Sequence, residues 1–283
     1  MTHSKQWSSA TPGLLIFLID QSGSMLKTYK DTNDTRTIFA TRVVNRVIND
    51  IITKNFNGTQ PKDRCFIAAI GYSVGAREEC SGYLSQLYNS PKRFENVKKS
   101  ISDGAGGLVV IDKNMPIWVE PTEKDGWTDM AQAFRMAKEI IESWINDKPD
   151  SPAPVIINIS DGIPFYGRKD SSECAHETAE IAKEIMNINT SDGNVLIFNA
   201  EIGDSKTQII LPNSINDVKV GGQGAEFLYE ISSEIPEGYK TAAIKNGLDS
   251  FLKDGSRGAV FAADAEYLIK LIDFGSSKGQ RDE

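Results

Sequence analysis

The segment Asp20-Gln21-Ser22-Gly23-Ser24 carries one carboxylate and two hydroxyls at alternate positions, so all three oxygens can turn toward one point. They form a hard-oxygen set suited to Mg²⁺ or Mn²⁺, with Ca²⁺ as a larger alternative, and poorly suited to soft metals. Three ligands leave an octahedral ion incomplete, so waters or other loops must supply the rest. Two loops offer such groups. Thr128, in Gly126-Trp127-Thr128-Asp129, stands where a helical pattern begins, and Asp161, in Ile159-Ser160-Asp161-Gly162, closes an apolar run just as Asp20 closes the first. Each residue alone has a simpler role: an Asx-turn for Asp20 and Ser22, a helix N-cap for Ser24 or Thr128, an ordinary turn for Asp161 before Gly162. Their joint occurrence favours a common metal site. Beside these ligands lie Trp127, Phe165 and Tyr166, which either rim the ion or pack beneath its loops.

The elements that must position these groups follow from hydrophobic pattern. The apolar run 14–19 has no alternation, as expected of a strand covered on both faces of a parallel sheet. Segments 155–159, 195–200, 65–70 and the short 258–261 read alike. Between them, 37–52 and 129–145 carry apolar residues at helical spacing, and 172–186, 226–233, 240–251 and 264–274 are further helix candidates. Strand alternating with helix implies right-handed crossovers and an α/β fold: a doubly wound, mainly parallel sheet with helices on both faces. Segment 75–90 reads as one antiparallel edge strand, linked to 65–70 by a hairpin. One domain over 12–275 results, with tails at 1–11 and 276–283, and 102–107 and 203–224 as surface excursions.

Forty per cent hydrophobic and 25% charged residues, over 283 positions, exclude disorder. A net charge of -8 works against nucleic acid or an anionic membrane, and no basic stripe overrides it. The densest basic stretch, Lys92-Arg93 with Lys98-Lys99, is interleaved with Glu95 and reads as a solvated helix face. Cys65, Cys80 and Cys174 are an odd number without C-x-x-C spacing, which suits reduced thiols. The polar N-terminus and the shortness of run 14–19 argue against secretion and membrane spanning, so a cytoplasmic location is expected.

The pattern D-x-S-G-S, then a Thr before a helix, then S-D-G after a buried strand, resembles the metal-ion-dependent adhesion site of von Willebrand factor A (vWA) domains. The resemblance spans nearly the whole chain. It implies that Ser22, Ser24 and Thr128 bind metal directly, that Asp20 and Asp161 often act through water, and that an acidic side chain of a partner protein completes the ion. Within the family the chain looks most like the bacterial cytosolic type associated with tellurite resistance (TerY-like), judged by its SGSM start, Thr-Asp-Met helix opening and Ser-Asp-Gly strand end. Such proteins are thought to act with kinase and phosphatase partners. Two departures stand out: Trp127 precedes the ligand threonine where bacterial members often have Gly, and Ile163-Pro164-Phe165-Tyr166 follows Asp161 in place of small polar residues.

Enzymatic readings fare less well. A phosphotransferase or phosphohydrolase using Asp20 needs a second acid two residues later, where this chain has Ser22. No other nucleophile–base pair is evident, and His3 and His176 are the only histidines. A receiver-like domain would want an acidic pair after its first strand. A dinucleotide site is not supported either, because Gly104-Ala105-Gly106-Gly107 does not follow a buried strand. The expectation is a binding module, not an enzyme.

Overall fold

The computed structural model describes residues 3–102, 108–203 and 207–276. In chain order the elements are β1 (Gly13–Asp20), α1 (Arg36–Lys54), β2 (Phe56–Asn57), β3 (Gln60–Pro61), β4 (Cys65–Ser73), β5 (Gly75–Tyr83), α2 (Leu84–Asn89), β6 (Arg93–Ser102), β7 (Leu108–Ile117), α3 (Met130–Asp147) and β8 (Val155–Ser160). They continue with α4 (Ser171–Met186), β9 (Leu196–Glu201), β10 (Ile209–Ile210), α5 (Ile215–Val218), α6 (Gly222–Glu230), α7 (Lys240–Lys245), β11 (Ala259–Phe261) and α8 (Ala265–Gly275). The main sheet runs β10-β11-β9-β8-β1-β4-β5. Its inner pairs are parallel, while β5 and β10 run antiparallel to their neighbours at the two edges.

The unbroken apolar run of β1 now has its reason. Leu15, Phe17 and Ile19 pack with α1 and α8 on one face, and Leu14, Ile16 and Leu18 pack with α3, α4 and α6 on the other. Each such side chain contributes about 1.5–3 kcal/mol on full burial, so the strand is anchored by its core and not by anything at its end. This is a doubly wound α/β fold. From β1 the chain moves to β4 on one side and returns through β8 on the other, so the strand order reverses at β1. Open α/β sheets place their ligands outside the carboxyl ends at that point.

The structure corrects several expectations. The charged stretch around Lys92, Arg93, Glu95, Lys98 and Lys99 is no helix face, because Arg93–Ser102 is a strand paired antiparallel with β7 in a ribbon separate from the main sheet. The edge strand expected over 75–90 ends at Tyr83 and gives way to α2. The helix expected over 226–233 lies at Gly222–Glu230, and that over 240–251 stops at Lys245, before Gly247 takes a φ of +64°. The excursion 203–224 contains β10 and α5, with 204–206 outside the described residues; of the excursion 102–107, positions 103–107 lie outside them too, as does the end of the tail, 277–283. Within the tail 1–11, Trp7 is buried, and the His3 and Lys5 amides donate to Asp192. All three cysteines are free, and Cys80 stands opposite Ala69, not Cys65. Among the described residues no helix is long and apolar enough to cross a membrane.

Candidate metal centre

Asp20 ends β1 and is fully buried. Its Oδ1 accepts the Ser22 amide at 2.9 Å, the Asx-turn contact, and its Oδ2 accepts the Ser160 hydroxyl at 2.8 Å. That turn swings Ser22 and Ser24 over the strand end. The two serine hydroxyls lie 3.0 Å apart, and Ser24 Oγ donates to Asp161 Oδ1 at 2.8 Å. Asp161 follows β8, the strand in parallel register beside β1. Four of the five expected ligand residues are therefore linked by hydrogen bonds, with the side-chain oxygens of Ser22, Ser24 and Asp161 in one run and Asp20 joined to it through the Ser22 amide.

Adjacent ligands of an octahedral Mg²⁺, each about 2.0–2.1 Å from the ion, are separated by about 2.8–3.0 Å. The spacings Ser22 Oγ–Ser24 Oγ and Ser24 Oγ–Asp161 Oδ1 match two such edges. They are also ordinary hydrogen-bond lengths, so the oxygens hold one another in place. Among the described residues no group of three or more His, Cys, Asp or Glu could hold a metal ion.

Thr128 sits on a separate loop tied to the same rim through its backbone. The Gly23 amide donates to the Gly126 carbonyl at 2.9 Å, and Thr128 and Phe165 exchange backbone hydrogen bonds of 2.8 and 3.1 Å across the two outer loops. The helix cap is not Thr128. Asp129 caps α3 by accepting the Gln132 amide, and among the described residues nothing is hydrogen-bonded to the Thr128 hydroxyl. Gly23 has a spatial purpose as well: a Cβ there would fall 1.7 Å from Asp125 Oδ1, so the small residue makes room for an acid of the Thr128 loop.

Electrostatics set this edge apart. Burial, then the neighbouring Asp161 charge, push the Asp20 carboxyl up to about 7, against the opposing hydrogen bonds from Ser22 and Ser160. Glu201, at the end of β9, is a third acid here and is raised mainly by burial. It accepts the amide of Ala262, a non-glycine residue with φ +51°. Arg36 is the one cation paired into the cluster in the described structure. Its Nη1 donates to Asp161 Oδ2, with side chains only 5% and 7% exposed. Sequence reasoning missed Arg36, Glu201 and Asp125.

The aromatic rim divides. Trp127 and Phe165 are 46% and 48% exposed, so both are displayed beside the loops that carry Thr128 and Asp161. Tyr166 is not: it is half-buried against the core cluster on the α3 and α4 side, and burial raises its hydroxyl. Val74, 73% exposed, lies against the Gly126 turn and adds an apolar group that the sequence did not single out.

No protein-family model matches the chain, and no curated protein matches it. Solved structures similar to it include the PilB minor pilin from Streptococcus sanguinis, 12% identical, with 95% of this chain and 61% of that one covered and a TM-score of 0.49. A second is an aerotolerance-related membrane protein from Bacteroides fragilis NCTC 9343, 13% identical, with 94% and 99% covered and a TM-score of 0.45. A third is the vWF domain of the type V pili tip protein Mfa5 from Porphyromonas gingivalis, 19% identical, with 54% and 39% covered and a TM-score of 0.32. At these identities and scores the α/β assignment rests on the strand order of the chain itself.

Proposed function

We propose that the chain is a vWA-type binding module in which Ser22, Ser24, Thr128, Asp20 and Asp161 hold Mg²⁺, or Mn²⁺ or Ca²⁺, and an acidic side chain of a partner protein completes the ion. The carrying observation is the run of oxygens from Ser22 through Ser24 to Asp161 at octahedral-edge spacing, at the point where the strand order reverses. When bound, the ion supplies Lewis acidity toward an incoming carboxylate. The residues supply placement, and the exposed Trp127 and Phe165 supply apolar contact beside it.

Binding is favoured over catalysis by the state of Asp20. Both of its oxygens are engaged, by the Ser22 amide and the Ser160 hydroxyl, and the residue is fully buried. A nucleophile needs an exposed oxygen on its line of attack. The resemblance to tellurite-resistance proteins extends the proposal to a cytoplasmic stress or signalling role with a kinase or phosphatase partner. It extends neither to nucleic acid nor to membrane.

The test is Mn²⁺ titration of the full chain, joined to affinity capture with and without EDTA. Asp20→Ala and Ser22→Ala should abolish both metal binding and metal-dependent capture while the protein stays folded, because the β1 core does not depend on the ion. Metal-dependent hydrolysis of phosphoesters or nucleotides by the wild type, eliminated in Asp20→Ala, would replace binding with catalysis.

A further inference from the structure

Between α1 and the β6–β7 ribbon lies a groove of about 520 Å³. That volume falls within the range of specific ligand sites, about 300–1,000 Å³. One face of the ribbon lines it. In register along that face Arg93 stands opposite Ile117, Glu95 opposite Met115 and Val97 opposite Lys113, so each cross-strand pair sets a charged side chain beside an apolar one. The ribbon is fixed at its base. Asn45 of α1 donates to the Val119 carbonyl at 2.8 Å and accepts the amides of Trp118 and Val119 at 2.9 and 3.0 Å, and the Trp118 indole donates to the Leu87 carbonyl at 2.9 Å. Beyond that base Ile38, Val97 and Met115 are only half-buried and form an apolar floor. The charges above the floor differ in how they are engaged. Arg42 is held by both oxygens of Asp34, and Arg93 by Glu95 and Glu120. Arg46, on the helix wall, only approaches Asp50 at 3.8 Å. On the ribbon wall neither Lys98 nor Lys113 is in an ion pair among the described residues, and Asp112, which stands across from Lys98 in register, lies outside the lining.

We propose that this groove docks an acidic, amphipathic segment of a partner protein, with apolar side chains on Ile38, Val97 and Met115 and carboxylates on Arg46, Lys98 and Lys113. Loosely held cations on both walls above an apolar floor are complementary to such a segment. The lining of α1 runs from Ile38 to Asp50, about 18 Å at 1.5 Å per residue, which an extended segment of about six residues spans at about 3.3 Å each. Charged and apolar groups alternate over that length, which suits the alternating side chains of a peptide and not the single charged end of a fatty acid. Nucleic acid brings phosphates but no side chains for the floor, and the chain as a whole carries a net charge of -8. The inference stands apart from the metal centre, since none of Asp20, Ser22, Ser24, Thr128 and Asp161 lines the groove.

The experiment is fluorescence anisotropy of the full chain with a labelled peptide of about eight alternating glutamate and leucine residues, long enough to span the groove. Binding should saturate and weaken as salt is added. Lys98→Glu combined with Lys113→Glu should weaken it roughly tenfold, and Met115→Asp should do so as well, with Met115→Ala moving in the same direction should the aspartate variant fail to fold. Lys219→Glu with Lys253→Glu, the same charge change at exposed lysines outside the lining, should leave it unchanged. No binding by the wild type, equal binding of a lysine–leucine or a glutamate–serine counterpart, or equal weakening in the Lys219 and Lys253 variant would overturn the proposal. So would self-association of the wild type that the Lys98 and Lys113 variant abolishes, because a second copy would then fill the groove. Peptide binding should persist in EDTA and in Ser22→Ala, whatever Mn²⁺ titration shows of the metal centre. Loss under both conditions would place the peptide's carboxylate on the ion, so the groove would fall while the metal reading stood.

Discussion

Asp20 and Glu79 are both buried carboxylates, and neighbouring residues connect them, since Gln21 follows Asp20 and reaches Glu79. Glu79, with a side chain 4% exposed, accepts from Lys92 at 2.6 Å, Arg77 at 2.8 Å and Gln21 at 3.3 Å. Burial alone would raise its carboxyl, but the hydrogen bonds and charges of Lys92 and Arg77 outweigh that and hold it below the usual range. Asp20 has a hydroxyl and an amide for company, with another carboxylate beside it, and it rises to about 7. One cluster is electrically complete. The other sets the carboxylates of Asp20, Asp161 and Glu201 against Arg36 as the one cation paired into it in the described structure, an excess of negative charge suited to a cation from outside.

The comparison breaks most sharply through stability against pH. In EDTA, an unfolded Asp20 loses its proton near 3.8, while the folded one keeps it to about 7. Between those values the native state binds more protons, so its stability falls as pH rises, and the penalty is complete above about 7. Asp20→Asn keeps an acceptor for the Ser22 amide and offers the Ser160 hydroxyl a donor. It should therefore stabilise the metal-free protein at pH 8 by on the order of 4 kcal/mol and remove that part of the slope. Urea denaturation from pH 4 to 8 measures it; equal stability of wild type and variant at pH 8 would show that Asp20 is not electrostatically strained.

Glu79→Gln should move stability the other way. Losing a buried anion with two cationic partners costs about 1–3 kcal/mol at neutral pH, discounted here because Arg77 and Lys92 are 66% and 40% exposed and can turn to water. Because the folded carboxyl lies below its unfolded value, this contribution is present above the unfolded pKa and is lost as pH falls through the folded one. Opposite signs for Asp20→Asn and Glu79→Gln in the same denaturation series would sharpen the contrast; the same sign would dissolve it.

What was legible in the sequence is what local pattern encodes. The unbroken run of β1, its D-x-S-G-S ending and the matching Ser-Asp-Gly after β8 announce two parallel strand ends, and parallel neighbours bring such ends together. Arg36 could not be read this way. In sequence it is one charged residue among several near the start of an amphipathic helix, and only the placement of α1 against the end of β8 reveals its partner. The Glu79 cluster joins β5 to the residue after β1 and the residue before β6 and is equally non-local. The β6 strand was misread because charges at 92, 93, 95, 98 and 99 fit a helix face. The β-branched run Val109-Val110-Ile111, on the strand that pairs with it, carried the strand signal.

The smallest expected stability effect lies at the rim, and it distinguishes a surface shaped for contact from one that holds the fold together. Trp127 is 46% exposed and precedes Thr128, whose backbone is paired with Phe165, so its ring is dispensable to the sheet and to the loop pairing. Trp127→Ala should change unfolding free energy by no more than about 0.5 kcal/mol, as an exposed substitution does. A desolvated aromatic at the centre of an interface commonly contributes about 2 kcal/mol or more to binding. Metal-dependent capture of the partner should therefore weaken by roughly thirtyfold in Trp127→Ala while Mn²⁺ affinity in the free protein is unchanged, because the indole offers the ion no oxygen. Thermal denaturation, Mn²⁺ titration and partner capture on one preparation separate the possibilities. A fall in stability with no loss of capture would make Trp127 a packing residue and leave the metal without its apolar surround, whereas loss of capture alone would join the aromatic and the ion in a single binding face.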